Sequence, residues 1–257
     1  MSLDSTAIER AADLMVRQQP VVFLTGAGVS VESGIPDFRS PGGLWERFDP
    51  AEYASIHAFR SDPHKVWRML RELERTLDAA APNPGHVALA RLEERGIVSG
   101  VITQNIDNLH QEAGSRNVVE FHGNGRHLVC LRCGVRTRPD TVGLARGERR
   151  EPPECFECGA ILKPDVVFFG ESIPEHALND SFRLAASCGV MAVAGTSATV
   201  MPCSALPFAA RQAGAALVEI NLSRTEISSM VDLAVRGPWG EVMPALAAEI
   251  EARLPVP

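Results

Sequence analysis

VVFLTGAGVSVESGIPDFRS, residues 21–40, is the stretch from which the rest of the chain is read. Val21 to Leu24 are four consecutive apolar residues, the mark of a strand covered on both faces. Gly26 and Gly28 follow at once, and without side chains they let the backbone turn sharply and bring bare N–H groups up to a pyrophosphate. A nucleotide site at the end of a buried strand is the expectation. The stretch departs from the dehydrogenase fingerprint, which wants a third small residue where this chain has Val31 and then a long helix. Here Gly34 and Pro36 stop a helix early, and Asp37, Phe38 and Arg39 follow in a loop able to fold over what the glycines hold. Cofactor and reacting groups are therefore expected to share one loop.

On the N-terminal side, Ile8, Ala11, Ala12 and Met15 recur at helical spacing and predict an amphipathic helix over residues 6–18. On the C-terminal side, Val66, Met69, Leu70, Leu73 and Leu77 form one stripe, which predicts a helical insert between Pro41 and Pro82. Pro82-Asn83-Pro84-Gly85-His86 then starts a further helix, with His86 read as a local hydrogen-bonding residue. Apolar runs follow at Val98 to Thr103, Val118 to Phe121, Val166 to Phe169, Val190 to Ala194 and Ala216 to Ile220. Spacers long enough for helices separate most of them, which predicts a parallel sheet. In such a sheet ligands bind beyond the carboxyl ends of the strands. The tails Gln104-Asn105-Ile106-Asp107, His122-Gly123, Gly170-Glu171, Gly195-Thr196-Ser197 and Asn221 should gather there with the first glycine turn.

Between the runs ending at Phe121 and beginning at Val166 the composition changes. Cys130-Leu131-Arg132-Cys133 and Cys155-Phe156-Glu157-Cys158 frame a segment with little apolar periodicity. Two such knuckles supply four thiolates to a tetrahedral zinc, and a small lobe without its own core needs such a metal. Four protein ligands leave no open position, so the zinc is expected to be structural. A redox dithiol is the alternative, although redox Cys-x-x-Cys usually occurs once, at a helix start. Cys188 and Cys203 read as buried or incidental thiols. Arg126, Arg132, Arg136, Arg138, Arg146, Arg149 and Arg150 crowd the same segment, as a solvated face or a dock for an acidic partner.

With 257 residues, 45% hydrophobic and 22% charged, the chain can bury one large core plus a small lobe. A net charge of -7 argues against general attraction to nucleic acid or an anionic membrane and is compatible with basic protein segments. No apolar stretch approaches the ~20 residues of a spanning helix. Paired Cys-x-x-Cys thiols imply a reducing compartment, and the expected location is the cytoplasm.

Taken together and in this order, Gly26-Ala27-Gly28-Val29-Ser30, Gly34-Ile35-Pro36-Asp37-Phe38-Arg39, Thr103-Gln104-Asn105-Ile106-Asp107, His122-Gly123, the paired cysteines and Gly195-Thr196-Ser197 resemble the sirtuin (Sir2-like) family of NAD-dependent protein deacylases, of bacterial type. The resemblance spans roughly residues 10–250. It implies an α/β fold: a Rossmann-like parallel sheet of about six strands (residues 1–39, 86–123 and 166–257) with a small discontinuous domain (40–85 and 124–165) made of the helical insert and the zinc ribbon. NAD and an acyl-lysine peptide would lie between the two, the acyl oxygen attacking the NAD ribose as nicotinamide leaves.

For NAD the resemblance implies Gly26, Ala27, Gly28, Ser30, Ile35, Asp37, Phe38, Arg39, Gln104, Asn105, Ile106, Asp107, Gly195, Thr196, Ser197, Asn221 and Trp239. Phe38 would shield the site from water, Asn221 would meet the adenosine, and Trp239 belongs to a segment closing over the adenine. Asn105 and Asp107 join His122 as catalytic residues, His122 as the base that deprotonates a ribose hydroxyl, a task suited to an imidazole with an ordinary pKa of ~6.5. By the same resemblance Val166, Val167 and Phe168, with the loop Thr199 to Pro202, would form the two edges between which the peptide adds as a strand. The zinc ligands are Cys130, Cys133, Cys155 and Cys158. Family members that favour succinyl or malonyl lysine carry a Tyr and an Arg where alignment through Asp62-Pro63 and Trp67 puts Leu70 and Leu73, so a neutral acyl chain is expected here. A monomer is expected. Mono-ADP-ribosyl transfer and a non-catalytic NAD-binding adaptor are the competing functions, and the presence of His122, Asn105 and Asp107 counts against the adaptor.

Overall fold

The computed structural model describes residues 3–37, 43–139 and 152–255. In chain order the elements are α1 (Ser5–Arg17), β1 (Val21–Thr25), a 3-10 helix (Ala27–Ser33), α2 (Leu44–Arg47), α3 (Pro50–Tyr53), α4 (Ile56–Ser61), α5 (Pro63–Ala79), α6 (Pro84–Glu94), β2 (Val98–Thr103), α7 (Leu109–Glu112), β3 (Val118–Glu120), β4 (Gly123–Cys130), β5 (Arg136–Thr137), β6 (Leu162–Val166), α8 (Glu175–Ser187), β7 (Val190–Ala194), α9 (Leu206–Gln212), β8 (Ala216–Asn221), β9 (Leu233–Arg236) and α10 (Trp239–Glu251).

Six strands pair in the order β3-β2-β1-β7-β8-β9, all parallel. The chain starts at β1, winds outward one way through β2 and β3, then returns to β7 and winds the other way. This is a doubly wound Rossmann-like sheet, and β1 with β7 marks the switch point where its crevice opens. Every residue of β1 and of β7 is buried, as their unbroken apolar runs require. On one face α1, α6 and α10 cover Phe23, Val101, Ala192 and Val218, and on the other α8 and α9 cover Val22, Leu24, Met191 and Leu217.

A second, three-stranded sheet has the order β5-β4-β6 and is antiparallel. The helical insert packs against it: Phe59, Val66, Trp67, Met69 and Leu70 share a core with Leu128, Leu162 and the thiols of Cys130 and Cys155. The Trp67 indole donates to the Leu162 carbonyl at 2.8 Å.

Two expectations about strands change. Val166 to Phe169 does not form a strand of the parallel sheet: β6 ends at Val166 and pairs antiparallel with β4, while residues 167–169 run on as an extended edge. Pro164 removes a backbone donor and Lys163 interrupts the apolar pattern, so the run belongs to a smaller sheet. The sixth parallel strand is β9, four residues long, of which Val235 alone is fully buried. Its pattern is too short to stand out in sequence. The helix expected at 6–18 is α1, its start fixed by Asp4, whose carboxylate accepts from the Ala7 N–H at 3.1 Å.

Candidate active site

The turn after β1 does not present its glycine N–H groups to a ligand. Gly26 N–H donates to the Ala194 carbonyl at 3.1 Å and Gly28 N–H to the Gly195 carbonyl at 2.8 Å. A Cβ on Gly28 would lie 2.8 Å from Gly195 Cα, and one on Gly26 2.7 Å from Thr196 Cβ. The glycines are needed so that the turns following β1 and β7 can touch, which corrects the expectation of bare donors aimed at a pyrophosphate. Gly195 itself sits at φ 59. Beyond this contact the 3-10 helix Ala27–Ser33 ends at Gly34, at φ 88.

Behind the glycine turn lies a buried polar knot. Ser30 Oγ donates to Asp107 Oδ2 at 2.7 Å, and Asn105 Nδ2 donates to Ser30 Oγ at 3.1 Å and to the Gly26 carbonyl at 3.2 Å. Asp107 Oδ1 accepts from Leu109 N–H at 3.0 Å. Burial raises the Asp107 pKa above its ordinary value, and the bonds from Leu109, Ser30 and Asn105 pull it partly back. Ser30, Asn105 and Asp107 thus cross-link the tails of β1 and β2 from behind the cleft wall, and Ile35 is buried beside them. In front, Gln104 Nε2 donates to Thr196 Oγ1 at 2.9 Å and Asn221 Nδ2 to the Thr196 carbonyl at 3.0 Å, tying the tails of β2, β7 and β8 together.

His122 stands just past β3, held by the only bond its neighbour permits. The Gln104 carbonyl can only accept, so Nδ1–H is the donor at 3.2 Å and Nε2 keeps its lone pair. Burial lowers the imidazole pKa below its ordinary value while the carbonyl raises it in part. The ring is therefore neutral at pH 7 and equipped to take a proton at Nε2.

These pieces line one cleft of about 1240 Å³, larger than the ~300–1,000 Å³ of most small-molecule sites. Gly26, Ala27, Gly28, Asp37, Gln104, Ile106, His122, Gly195, Thr196, Ser197, Asn221 and Trp239 meet there with Val166, Val167, Phe168, Leu70 and Leu73. Thr199 to Pro202 form the opposite lip. Phe38 and Arg39 lie outside the described residues, as do Arg146, Arg149 and Arg150. At the far end the Trp239 ring is buried against Phe23 and His86, and a Cβ on Gly85 would meet its Nε1 at 2.3 Å. Glu32 accepts the Gly240 N–H at 2.5 Å and so caps α10 from the first loop.

At the tip of the second sheet the sulfurs of Cys130, Cys133, Cys155 and Cys158 all lie within 4.8 Å of one another. Cys130 and Cys158 are 3.5 Å apart and Cys133 and Cys155 3.7 Å. Zinc–sulfur bonds of about 2.3 Å in a tetrahedron separate sulfurs by about 3.8 Å, so the set fits one structural zinc with no position left for substrate. Cys188 and Cys203 lie elsewhere, buried, their thiol pKa values pushed up to about 11 and about 12 by desolvation.

Other buried polar residues have partners that the sequence reading did not name. Thr25 Oγ1 donates to Thr103 Oγ1 at 2.9 Å and accepts from His110 Nε2 at 2.9 Å, locking β1 to β2 beneath the knot. His110 packs on His86 with ring centroids 4.9 Å apart, and burial lowers the two pKa values to about 3 and about 4. The signal was a threonine closing each of two apolar runs. Lys163 and Glu171, an ion pair at 2.9 Å beside residues 166–169, were signalled by a lysine that follows Ile161 and Leu162 in ILKPDVVFF.

The Sir2 family model matches residues 26–202. NAD-dependent protein deacylase 2 of Pyrobaculum aerophilum is 45% identical over 243 residues, covering 95% of this chain and 96% of its own. The NAD-dependent protein deacetylase of Caldivirga maquilingensis is 44% identical over 94% of this chain and 93% of its own. Among solved structures, a Sir2 homolog–NAD complex superposes with a TM-score of 0.88 at 40% identity, covering 95% of this chain and 94% of that one. A Sir2–p53 peptide–NAD+ complex does so with a TM-score of 0.86 at 36% identity, over 95% and 99%. With the doubly wound sheet, the four-cysteine cluster and the loop knot at its switch point, this extent of similarity means that the chain belongs to the Sir2 family.

Proposed function

We propose that the chain is an NAD-dependent protein-lysine deacylase, taking acyl-lysine and NAD to lysine, nicotinamide and O-acyl-ADP-ribose. The observation that carries this is His122, neutral and with Nε2 in no hydrogen bond among the described residues, lining the same cleft as the glycine turns after β1 and β7 and the extended edge 166–168. NAD, as co-substrate, supplies a ribose carbon that accepts the acyl oxygen when nicotinamide leaves. The protein's part is to hold both substrates, keep water out and move one proton. Gly26 to Gly28, with their glycine amides already bonded to the end of β7 and the turn after it, would leave room for the phosphates and ribose beside Gly195 to Ser197, Asn221 would face the adenosine, and Trp239 would close that end. Asn105 and Asp107, stiffened through Ser30, hold the loop against the nicotinamide side, with Gln104, Ile106, Ile35 and Asp37 around it; Phe38 and Arg39 are assigned here from sequence alone. His122 Nε2 takes the proton of a ribose hydroxyl.

The acyl-lysine peptide adds as a strand between 166–168 and 199–202, pairing with the backbone groups there that internal bonds leave over. That a peptide is the substrate is supported by the similar Sir2 structure that holds a p53 peptide with NAD+. Residues 1–39, 86–123 and 166–257 form the NAD-binding domain, and 40–85 with 124–165 the small domain. Leu70 and Leu73 offer the acyl group apolar surface. The guanidinium of Arg71 lies against the Trp67 ring at 4.7 Å and pairs with Glu74, in a neighbouring cavity, and Arg68 is exposed, so neither supplies a carboxylate anchor in the cleft. Among the described residues no helix is long and apolar enough to cross a membrane. The paired Cys-x-x-Cys thiols favour a reducing compartment, and we place the protein in the cytoplasm, as a monomer.

Mass spectrometry of an acetyl-lysine peptide incubated with NAD tests the assignment. Deacylated peptide with equimolar nicotinamide is expected. Acylated peptide carrying ADP-ribose would assign transferase activity instead, and an unchanged peptide an adaptor.

A further inference from the structure

Lys163 lies on β6 with its side chain 3% exposed. Its ammonium donates to the carbonyl of Val166 at 2.5 Å, to that of Pro164 at 3.2 Å and to Glu171 Oε2 at 2.9 Å, and stands 4.5 Å over the Phe168 ring. The same carboxylate oxygen accepts the Phe168 N–H at 2.8 Å, and Glu171 N–H returns a bond to the Phe168 carbonyl at 2.9 Å. On either side, Val167 N–H donates to the His122 carbonyl at 2.8 Å and Phe169 N–H to the Ala54 carbonyl at 2.9 Å. Each amide from 167 to 169 is therefore held, the middle one by Glu171.

We propose that Lys163 and Glu171 are positioning residues that set the register of the 166–169 edge for the acyl-lysine peptide, an inference that rests on the deacylase reading. An incoming strand is recognised through backbone groups at fixed spacing, and a slip of one residue turns every side chain to the opposite face. Here β6 is already weakened by Pro164, and the sheet pairing stops at Val166. Without the carboxylate, Phe168 N–H would lose its acceptor and the buried ammonium its only charged partner, keeping the Val166 and Pro164 carbonyls, a change costing more than the loss of one bond between neutral groups. The bond from Val167 to the His122 carbonyl makes the consequence specific. Loosening this edge moves the peptide relative to the imidazole, whereas the turns after β1 and β7 are braced by their own contacts. The apparent affinity for peptide should suffer and that for NAD should not.

Steady-state kinetics with an acetyl-lysine peptide and NAD test this with Glu171→Ala, Glu171→Gln and Lys163→Met. Glu171→Ala is expected to raise the peptide KM roughly tenfold or more while the NAD KM stays within about twofold. Glu171→Gln keeps an amide oxygen able to accept both bonds and should bring the peptide KM back to within about threefold of the unmutated protein. A peptide KM unchanged in Glu171→Ala, or peptide and NAD KM values rising together, would overturn the proposal. If Glu171→Ala does not fold, Lys163→Met carries the test, a selective rise in peptide KM supporting it and an unchanged KM overturning it. No turnover by the unmutated protein would instead remove the deacylase reading on which the proposal stands.

Discussion

Two walls of the cleft are held in place by different physics. Below it, β1, β7 and β8 are sealed between helices, with Phe23, Met191 and Leu217 among the largest wholly buried side chains. Across it, the three-stranded sheet shares one modest core with the helical insert and converges on four sulfurs at its tip. Burial alone suffices for a sheet covered on both faces, whereas a ribbon with so little apolar surface depends on ligand bonds for its shape. The two walls should therefore fail separately, and the lower one should survive loss of the other.

The largest effect expected is on the ribbon. Cys130→Ala should abolish zinc binding, read by elemental analysis, and open residues 124–139 and 152–165 to hydrogen exchange while β1, β2 and β7 stay protected. Full metal content in that variant would break the comparison, and so would collapse of the large sheet with the ribbon. Next, His122→Ala should cut deacylation by about 10²–10⁴-fold with NAD affinity within a few fold, since a base acting after binding affects turnover rather than association. Burial lowers the His122 pKa, so the base form persists below the ordinary value: kcat/KM for peptide should be flat through neutral pH and fall only below about pH 6.5. Activity above a third of the unmutated level would refute the role.

A smaller effect sharpens the account of the lower wall. Gly28→Ala forces a methyl group to within 2.8 Å of the Gly195 backbone, where neither loop has a flexible end to yield. Stability should drop by about 1–3 kcal/mol in thermal melts and the NAD KM should rise. An unchanged melt and KM would mean that the two turns need not touch. The smallest effect concerns the acyl end, where acetyl and succinyl forms of one peptide should differ about tenfold in kcat/KM, acetyl preferred. A succinyl preference would refute the reading of Leu70 and Leu73.

What could be read in the sequence follows the same division. VVFLT and VMAVA are strands because nothing but complete burial explains such runs, and their tails were found by looking one residue further. The ribbon was found from its four cysteines and not from any strand pattern. VVFF was misassigned because an apolar run does not say which sheet it joins; Pro164 and Lys163 carried that information. The internal use of the Gly26 and Gly28 amides could not be foreseen either. A glycine admits close approach, but the partner that approaches, here Gly195, is distant in sequence and known only once the sheet is assembled.

Trp239 and the helix it begins have a consequence for synthesis. α10 contributes Trp239, Val242, Met243, Leu246, Ala247 and Ile250 to the core that covers one face of the sheet, packed on α1 and α6. Those residues are the last of this core to leave the ribosome. Until they do, the apolar surface that α1 and α6 turn toward α10 stays uncovered, and the adenosine end of the cleft lacks its wall. A nascent chain stopped before residue 239 has every strand of the large sheet and the cysteine ribbon, but it has no finished site. NAD can therefore stabilise only a chain that extends through α10, and translation that stops before residue 239 should leave a sticky, cofactor-blind product for chaperones or proteases to remove.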